Sequence, residues 1–305
     1  MCLFCCRYDY KDFSKMFFEK QYYEEAVQED DKTDTKKYNW CERNLMFKDP
    51  ANNRILFLWD FVFFIAFTIE IFVVPLVAFS EDSKMKTRID DLKTMAIIID
   101  IVWIIQIVKT FATPYVKDVE VKDKCSQVAF KYIKGFFVID LVSTCFTLFT
   151  NYNTDPDSML YQLYYLKLLR LMYAKSATKI LQRLIEPIFI SCNLRKQKKN
   201  TLLSLIVIFY ILVGLMHIIA CAWIWLGEVT ILTGESWMEV TDLIDTEQTD
   251  NNLDVYVFSL YWVVTTLTTV GYGDIYGKGV YQFLFTMGVE FLGILVFSII
   301  MSSVN

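Results

Sequence analysis

"TTLTTVGYGDIYG", residues 265–277, carries six hydroxyls or phenols and three glycines. Apolar stretches enclose it. "VYVFSLYWVVTTL", residues 255–267, leads into it, and a longer apolar run starts at Val280 and reaches about Val304. The leading run is 13 residues long, short of the roughly 20 apolar residues that cross a bilayer as a helix. It is therefore predicted to enter the membrane and turn back, with "TTVGYGD" carrying the chain out again. Non-helical backbone is tolerated at membrane depth only where protein buries it or where it lines a water-filled pathway.

Gly271 and Gly273 supply the positive φ angles that other residues resist. With glycine at alternate positions, successive carbonyls can face one axis. Four copies round that axis would stack oxygen rings from Thr269, Val270, Gly271 and Tyr272, with the Thr269 hydroxyl beneath. Such rings replace the water shell of a dehydrated potassium ion. The plainer alternative is a glycine-rich hairpin that holds no ion.

The rest of the chain is built for lipid. Of 305 residues, 55% are apolar and 16% aromatic, and the mean hydropathy is +0.35. An integral membrane protein is expected. The start, "MCLFCCRYDYKDFSKMFFEK", lacks the apolar core and cleavage site of a signal peptide, so the first span should direct insertion. The eight cysteines (Cys2, Cys5, Cys6, Cys41, Cys125, Cys145, Cys192 and Cys221) fall in spans or in segments assigned to the cytosol, which argues against a disulfide framework. Cys2, Cys5 and Cys6 are either S-acylated or part of a reduced tail.

Six spans fit the hydropathy: Ile55–Phe79, near Lys93–Phe111, near Gly135–Thr150, around Leu160–Ile185, Leu202–Leu226 and Val280 to about Val304. Three parts follow: a segment 1–53, a four-helix domain 54–190 and a pore-type domain 191–305. The loop between spans two and three carries Lys109, Lys117, Lys122, Lys124, Lys131 and Lys134, and the connection before span five carries Arg195, Lys196, Lys198 and Lys199. Basic loops stay on the cytoplasmic side, which puts both termini inside. Residues 228–254 hold eight acids and no Lys or Arg, so this loop should face outward. It either concentrates cations at the pore mouth or is simply solvated.

"SLYWVVTTLTTVGYGDI" resembles the pore signature of tetrameric potassium channels. The resemblance implies a selectivity filter of Thr269, Val270, Gly271, Tyr272, Gly273 and Asp274, backed by an aromatic cuff of Tyr261 and Trp262, with Asp274 as outer cap. "LFLWDFVFF…VPLVAF", "KGFFVIDLVS" and "MHIIACAWIWLG", in that order, resemble one branch of those channels. It holds the cyclic-nucleotide-gated, hyperpolarisation-activated, ether-à-go-go and plant inward-rectifier channels. The implied fold is all-α, with six spans and a re-entrant helix, a sensor-like domain before the pore, and a non-domain-swapped homotetramer. This branch normally continues into a cyclic-nucleotide-binding domain, and no such site is assigned here. His217, the only histidine, is read as a neutral packing residue.

In "YYLKLLRLMYAKSATKILQRLIE" every third residue reads Lys167, Arg170, Tyr173, Ser176, Lys179. Cations at that interval suit a voltage-sensing helix, since ionisable groups within spans are costly and usually functional. The alternative is a basic amphipathic helix at the membrane surface. Relatives carry arginine where Tyr173 and Ser176 stand. Glu70, Asp100 and Asp140 are isolated carboxylates at membrane depth, expensive unless paired with the fourth segment's cations. Trp103 is placed as the plug beside the transfer site. Gln106 stands where relatives carry an acid, and Cys145 where many carry proline. A retained but weakened sensor is expected. Pro187 should break the helix just after Glu186.

Gly288 and Gly293 in the last span are hinge candidates or close-packing positions. No cofactor, enzymatic centre or nucleic-acid partner is expected. The bound species are permeant potassium at Thr269, Val270, Gly271 and Tyr272, the lipid bilayer and identical subunits. Two rivals stand beside a potassium-selective channel: a weakly selective cation channel, and a non-conducting subunit that joins other membrane subunits.

Overall fold

The computed structural model describes residues 54–79, 83–117, 120–122, 124–150, 163–191, 196–231, 233–240 and 252–304. The segment 1–53 with its three leading cysteines, and the middle of the acidic outer loop, lie outside the described residues. The regular elements among the described residues are helices and one small hairpin. Helix α1 is Arg54–Phe79 and α2 is Ser83–Ala112. Strands β1, Tyr115–Lys117, and β2, Glu120–Lys122, pair antiparallel with Val116 opposite Val121. Then come α3, Cys125–Lys134, and α4, Phe137–Thr150. A 3-10 helix, Leu163–Tyr173, runs directly into α5, Ala174–Ser191. Next are α6, Lys196–Ile231, and the short α7, Trp237–Val240, followed by α8, Asn252–Leu267, and α9, Val280–Val304.

Five of the six expected spans and the re-entrant run each fall on one helix, and the fourth is divided between the 3-10 helix and α5. By length and composition, α1, α6 and α9 could cross a membrane on their own. Helix α8, with 16 residues, is about 24 Å long at 1.5 Å per residue, less than a bilayer's apolar thickness. Helix α6, with 36 residues, overshoots that thickness, and its first turn carries Lys196, Lys198 and Lys199.

The structure differs from the sequence reading in several places. Helix α2 starts ten residues before the expected Lys93, and neither the β1–β2 hairpin nor α3 in the basic loop was foreseen. And α5 does not stop at Glu186: it continues through Pro187 to Ser191. A proline removes one amide donor and crowds the carbonyl of the preceding turn. Here only one further turn follows it, and membrane helices tolerate proline where neighbouring groups take up the freed carbonyl.

The chain divides into two compact units, residues 1–63 with 100–145 and residues 64–99 with 146–305. In the first unit, side chains of α1 meet side chains of α2 at three levels. Trp59 Nε1 donates to Gln106 Oε1 at 2.9 Å, Lys109 pairs with Asp60, and Phe63 meets Trp103 edge-on at 5.2 Å. Phe111, Tyr132 and Phe137 form an edge-to-face cluster with centroids 4.8–5.6 Å apart.

The second unit centres on tryptophan. Trp223 of α6 lies flat against Trp262 of α8 at 3.9 Å and 6°, and stacks on Trp237 at 5.6 Å. Ile219, Ile224, Val263, Leu267 and Val289 fill in around them. A Cβ at Gly227 would lie 2.4 Å from Trp237 Nε1, so only glycine lets α7 seat on α6. Helix α1 packs on α6 in the same unit. Thr68 and Tyr210 share a hydroxyl–hydroxyl hydrogen bond of 3.1 Å, and Phe72 lies 4.9 Å from the His217 ring.

Candidate ion-conduction site and sensor

Helix α8 ends at Leu267, and the chain after it takes a conformation set by alternation. Thr269, Gly271 and Gly273 have φ of 61°, 54° and 76°. The two glycines need no explanation beyond their missing Cβ. Thr269 does, because positive φ in a β-branched residue is a genuine outlier that persists only where the surroundings over-determine it. The C-terminus of α8 supplies them. Thr265 C=O accepts from both Val270 N–H at 2.9 Å and Gly271 N–H at 3.2 Å, and Thr266 C=O accepts from Thr269 N–H at 3.1 Å. Helix-end carbonyls that would otherwise lack partners thereby hold the amides of the following turn to one side. Residues 268–274 are exposed, Val270 at 53% and Tyr272 at 71%.

The two aromatics of the expected cuff have different surroundings. Tyr261 O–H donates to Asp274 Oδ2 at 2.7 Å, and its ring lies parallel to that of Tyr272 at 6.5 Å. Asp274 Oδ1 also accepts from the Ile275 N–H at 3.1 Å. Trp262 instead points into the core against Trp223, so it can act on the filter only by fixing α8.

Gly293 lies where α9 meets the end of α8. A Cβ there would come within 2.9 Å of Leu267 O, which makes it a close-packing glycine. An added Cβ at Gly288 would meet nothing within 4 Å, so close packing does not account for this glycine. Above them, Gln282 is fully buried and bridges two elements: its amide donates to Thr230 Oγ1 at 2.7 Å, and its Oε1 accepts from Lys278 N–H at 3.0 Å.

The row of every third residue falls in the 3-10 helix as far as Tyr173. Residues at that interval eclipse one another in a 3-10 helix, so Lys167, Arg170 and Tyr173 share one face. Ser176 and Lys179 lie in α5, where the row drifts round the helix. Arg170, 1% exposed, forms an ion pair with Glu70, 5% exposed. Lys167 is buried and Lys179 half-buried. In the first unit, Asp140 accepts the Tyr132 hydroxyl, and Asp100 and Trp103 are buried. Gln106, where the resemblance implied an acid, accepts from the Trp59 indole.

His217 is hydrogen-bonded at both nitrogens, Nε2 to Phe72 O at 2.8 Å and Nδ1 to the Tyr256 hydroxyl at 2.8 Å. A carbonyl can only accept, so Nε2 carries the proton and Nδ1 accepts from Tyr256.

The sequence is similar to those of known proteins. Residues 56–305 fit the family model described as "Ion transport protein". The chain belongs to the ion transport protein family. It is accordingly an integral membrane protein, and the similar proteins are of the branch that the sequence motifs indicated. The potassium voltage-gated channel unc-103 of Caenorhabditis elegans is 25% identical, covering 81% of this chain and 31% of its own length. The potassium voltage-gated channel protein eag of Drosophila melanogaster is 26% identical, with 81% and 22% covered. Potassium channel KAT1 of Oryza sativa subsp. japonica is 25% identical, with 71% and 30% covered. The chain thus spans between a fifth and a third of the length of these ion transport relatives.

Sequence reasoning missed two residues that shape this region. Thr265 matters through its backbone carbonyl, which no side-chain pattern announces. Gln282 is a polar residue within an apolar run, a visible signal.

Proposed function

We propose that this chain is one quarter of a homotetrameric, potassium-selective channel whose voltage sensor is weakened. The observation that carries the reading is the left-handed backbone at Thr269, Gly271 and Gly273. With the Val270 and Gly271 amides tied back to Thr265, the intervening carbonyls are available to face a common axis. Rings of such carbonyls exchange for the hydration shell of potassium. Several relatives are potassium channels by name.

Subunits in this reading are not domain-swapped. The first span packs on the fifth span of its own chain through Thr68–Tyr210 and Phe72–His217. Only residues 192–195 separate α5 from α6. Lys199 and Glu186 bridge those two helices at 2.8 Å. The domain split at 190 and 191 and the cytoplasmic location of both termini belong to the same proposal.

The sensor is weak for two reasons. Two slots of the charged row hold Tyr173 and Ser176, and Arg170 is engaged in a buried pair with Glu70. Each charge that crosses the full field contributes about 2.3 kcal/mol per 100 mV, so a depleted row gives a shallow response.

The test is the reversal potential of purified protein in planar bilayers with potassium and sodium exchanged across the membrane. Tracking of the potassium gradient supports the reading. A reversal near zero under opposed potassium and sodium gradients overturns selectivity, and silence overturns autonomous conduction.

A further inference from the structure

Glu290 lies near the middle of α9, the last span, among apolar neighbours. It is exposed, and among the described residues no lysine or arginine forms an ion pair with it. A carboxylate turned toward lipid at that depth is costly. Ionisable side chains in spans almost always face a bundle interior or a water-filled cavity.

The packing of α9 tells which way Glu290 faces. Phe285 stacks on Trp223 of α6 at 5.9 Å, Val289 is buried in the same core, and Gly293 abuts Leu267. At about 100° per residue, these three follow one another round α9, from the α6 side to the end of α8. Glu290 comes roughly 60° farther in the same direction, past the point where α8 hands over to the filter. It also precedes Gly293 by three residues, about 4.5 Å along the axis. Phe297, exposed at 63%, lies two turns on along the same flank. Glu290 therefore lies on the flank of the last span that continues past the Gly293–Leu267 contact, displaced from it toward the N-terminus of α9.

We propose that Glu290 is a conductance-determining residue: it borders the ion pathway beside the inner end of the filter, where four copies attract potassium and hold polyvalent cations entering from the cytoplasmic side. This rests on the tetrameric channel reading given above. Four carboxylates round a narrow, low-dielectric pathway concentrate cations strongly. A divalent ion drawn there cannot shed its hydration to enter carbonyl rings, so it obstructs outward current and is swept clear by inward current.

Currents are recorded from the full chain in planar bilayers, in symmetrical potassium, with and without Mg²⁺ on the cytoplasmic side. Mg²⁺ is expected to reduce outward current in a voltage-dependent way. Glu290→Gln should weaken that block by about tenfold and lower the unblocked single-channel conductance, whereas Glu290→Asp should retain both. Equal block in wild type and Glu290→Gln, or no block in wild type, overturns the role of Glu290 while leaving the channel reading intact. Absence of potassium current from wild type removes the channel reading and the inference with it. If Glu290→Gln fails to assemble, the comparison of Glu290→Asp with Glu290→Asn decides by the same measurements.

Discussion

Gly293 of the last span lies so close to Leu267 that a methyl group would stand 2.9 Å from the Leu267 carbonyl oxygen. Leu267 closes α8, and the filter turn starts at the next residue. Any displacement of α9 is therefore felt at the base of the filter with no intervening side chain to absorb it.

Gly293→Ala is expected to destabilise this contact by about 1–3 kcal/mol, the usual cost of overpacking. The opposed group is backbone and cannot rotate away. Gly288→Ala, which meets open space, should leave stability unchanged or slightly raised. Thermal unfolding of the two purified variants, together with their open probability in bilayers, checks the contrast. Equal behaviour would contradict it.

The Tyr261–Asp274 bond links the pore helix to the outer end of the filter. Hydrogen bonds to charged groups contribute about 1.5–3 kcal/mol, and less here because the pair is exposed. Tyr261→Phe should leave the fold intact yet loosen the filter. Relative sodium permeability should then rise, or current should decay during sustained opening. Bi-ionic reversal potentials and long recordings measure both, and wild-type values in each would show the bond to be idle.

Breaking the Arg170–Glu70 pair from one side leaves a buried charge. Arg170→Met or Glu70→Met should cost about 3–5 kcal/mol, while the double variant should recover much of that loss. Unfolding temperatures of the two single variants and the double variant form the check. Additive losses would mean that the two side chains do not depend on each other.

Replacing Tyr173 and Ser176 with arginine should steepen the conductance–voltage relation, since charge moved through the field sets the slope. Tyr173→Arg extends the face that already carries Lys167 and Arg170. It should act more strongly than Ser176→Arg, which lies in α5. A slope unchanged by both variants would show that this segment does not move in the field.

Several features were legible in the residues because they depend on local pattern. Apolar runs placed the apolar part of each span, since a span's length follows from bilayer thickness, but not the polar turns that extend α2 back to Ser83 and α6 from Lys196 to Ile231. Gly271 and Gly273 announced a left-handed turn because little else occupies that conformation comfortably. The interval of three that joins Lys167, Arg170 and Tyr173 could be read from the residues, although the 3-10 geometry that puts them on one face could not. The course of α5 past Pro187 was misread because one proline near a helix end perturbs less than its rule implies.

What the sequence by itself determined is the apolar helices and the left-handed turn at Gly271 and Gly273, which follow from residue type and short-range spacing. The tertiary structure alone decided which buried groups meet. Arg170 reaches Glu70 across 100 positions, Gln106 takes the Trp59 indole, the filter amides gather on the Thr265 carbonyl, and Gly293 admits the end of α8. Each of these depends on two helix faces arriving at one place, and a face has no partner until the chain packs.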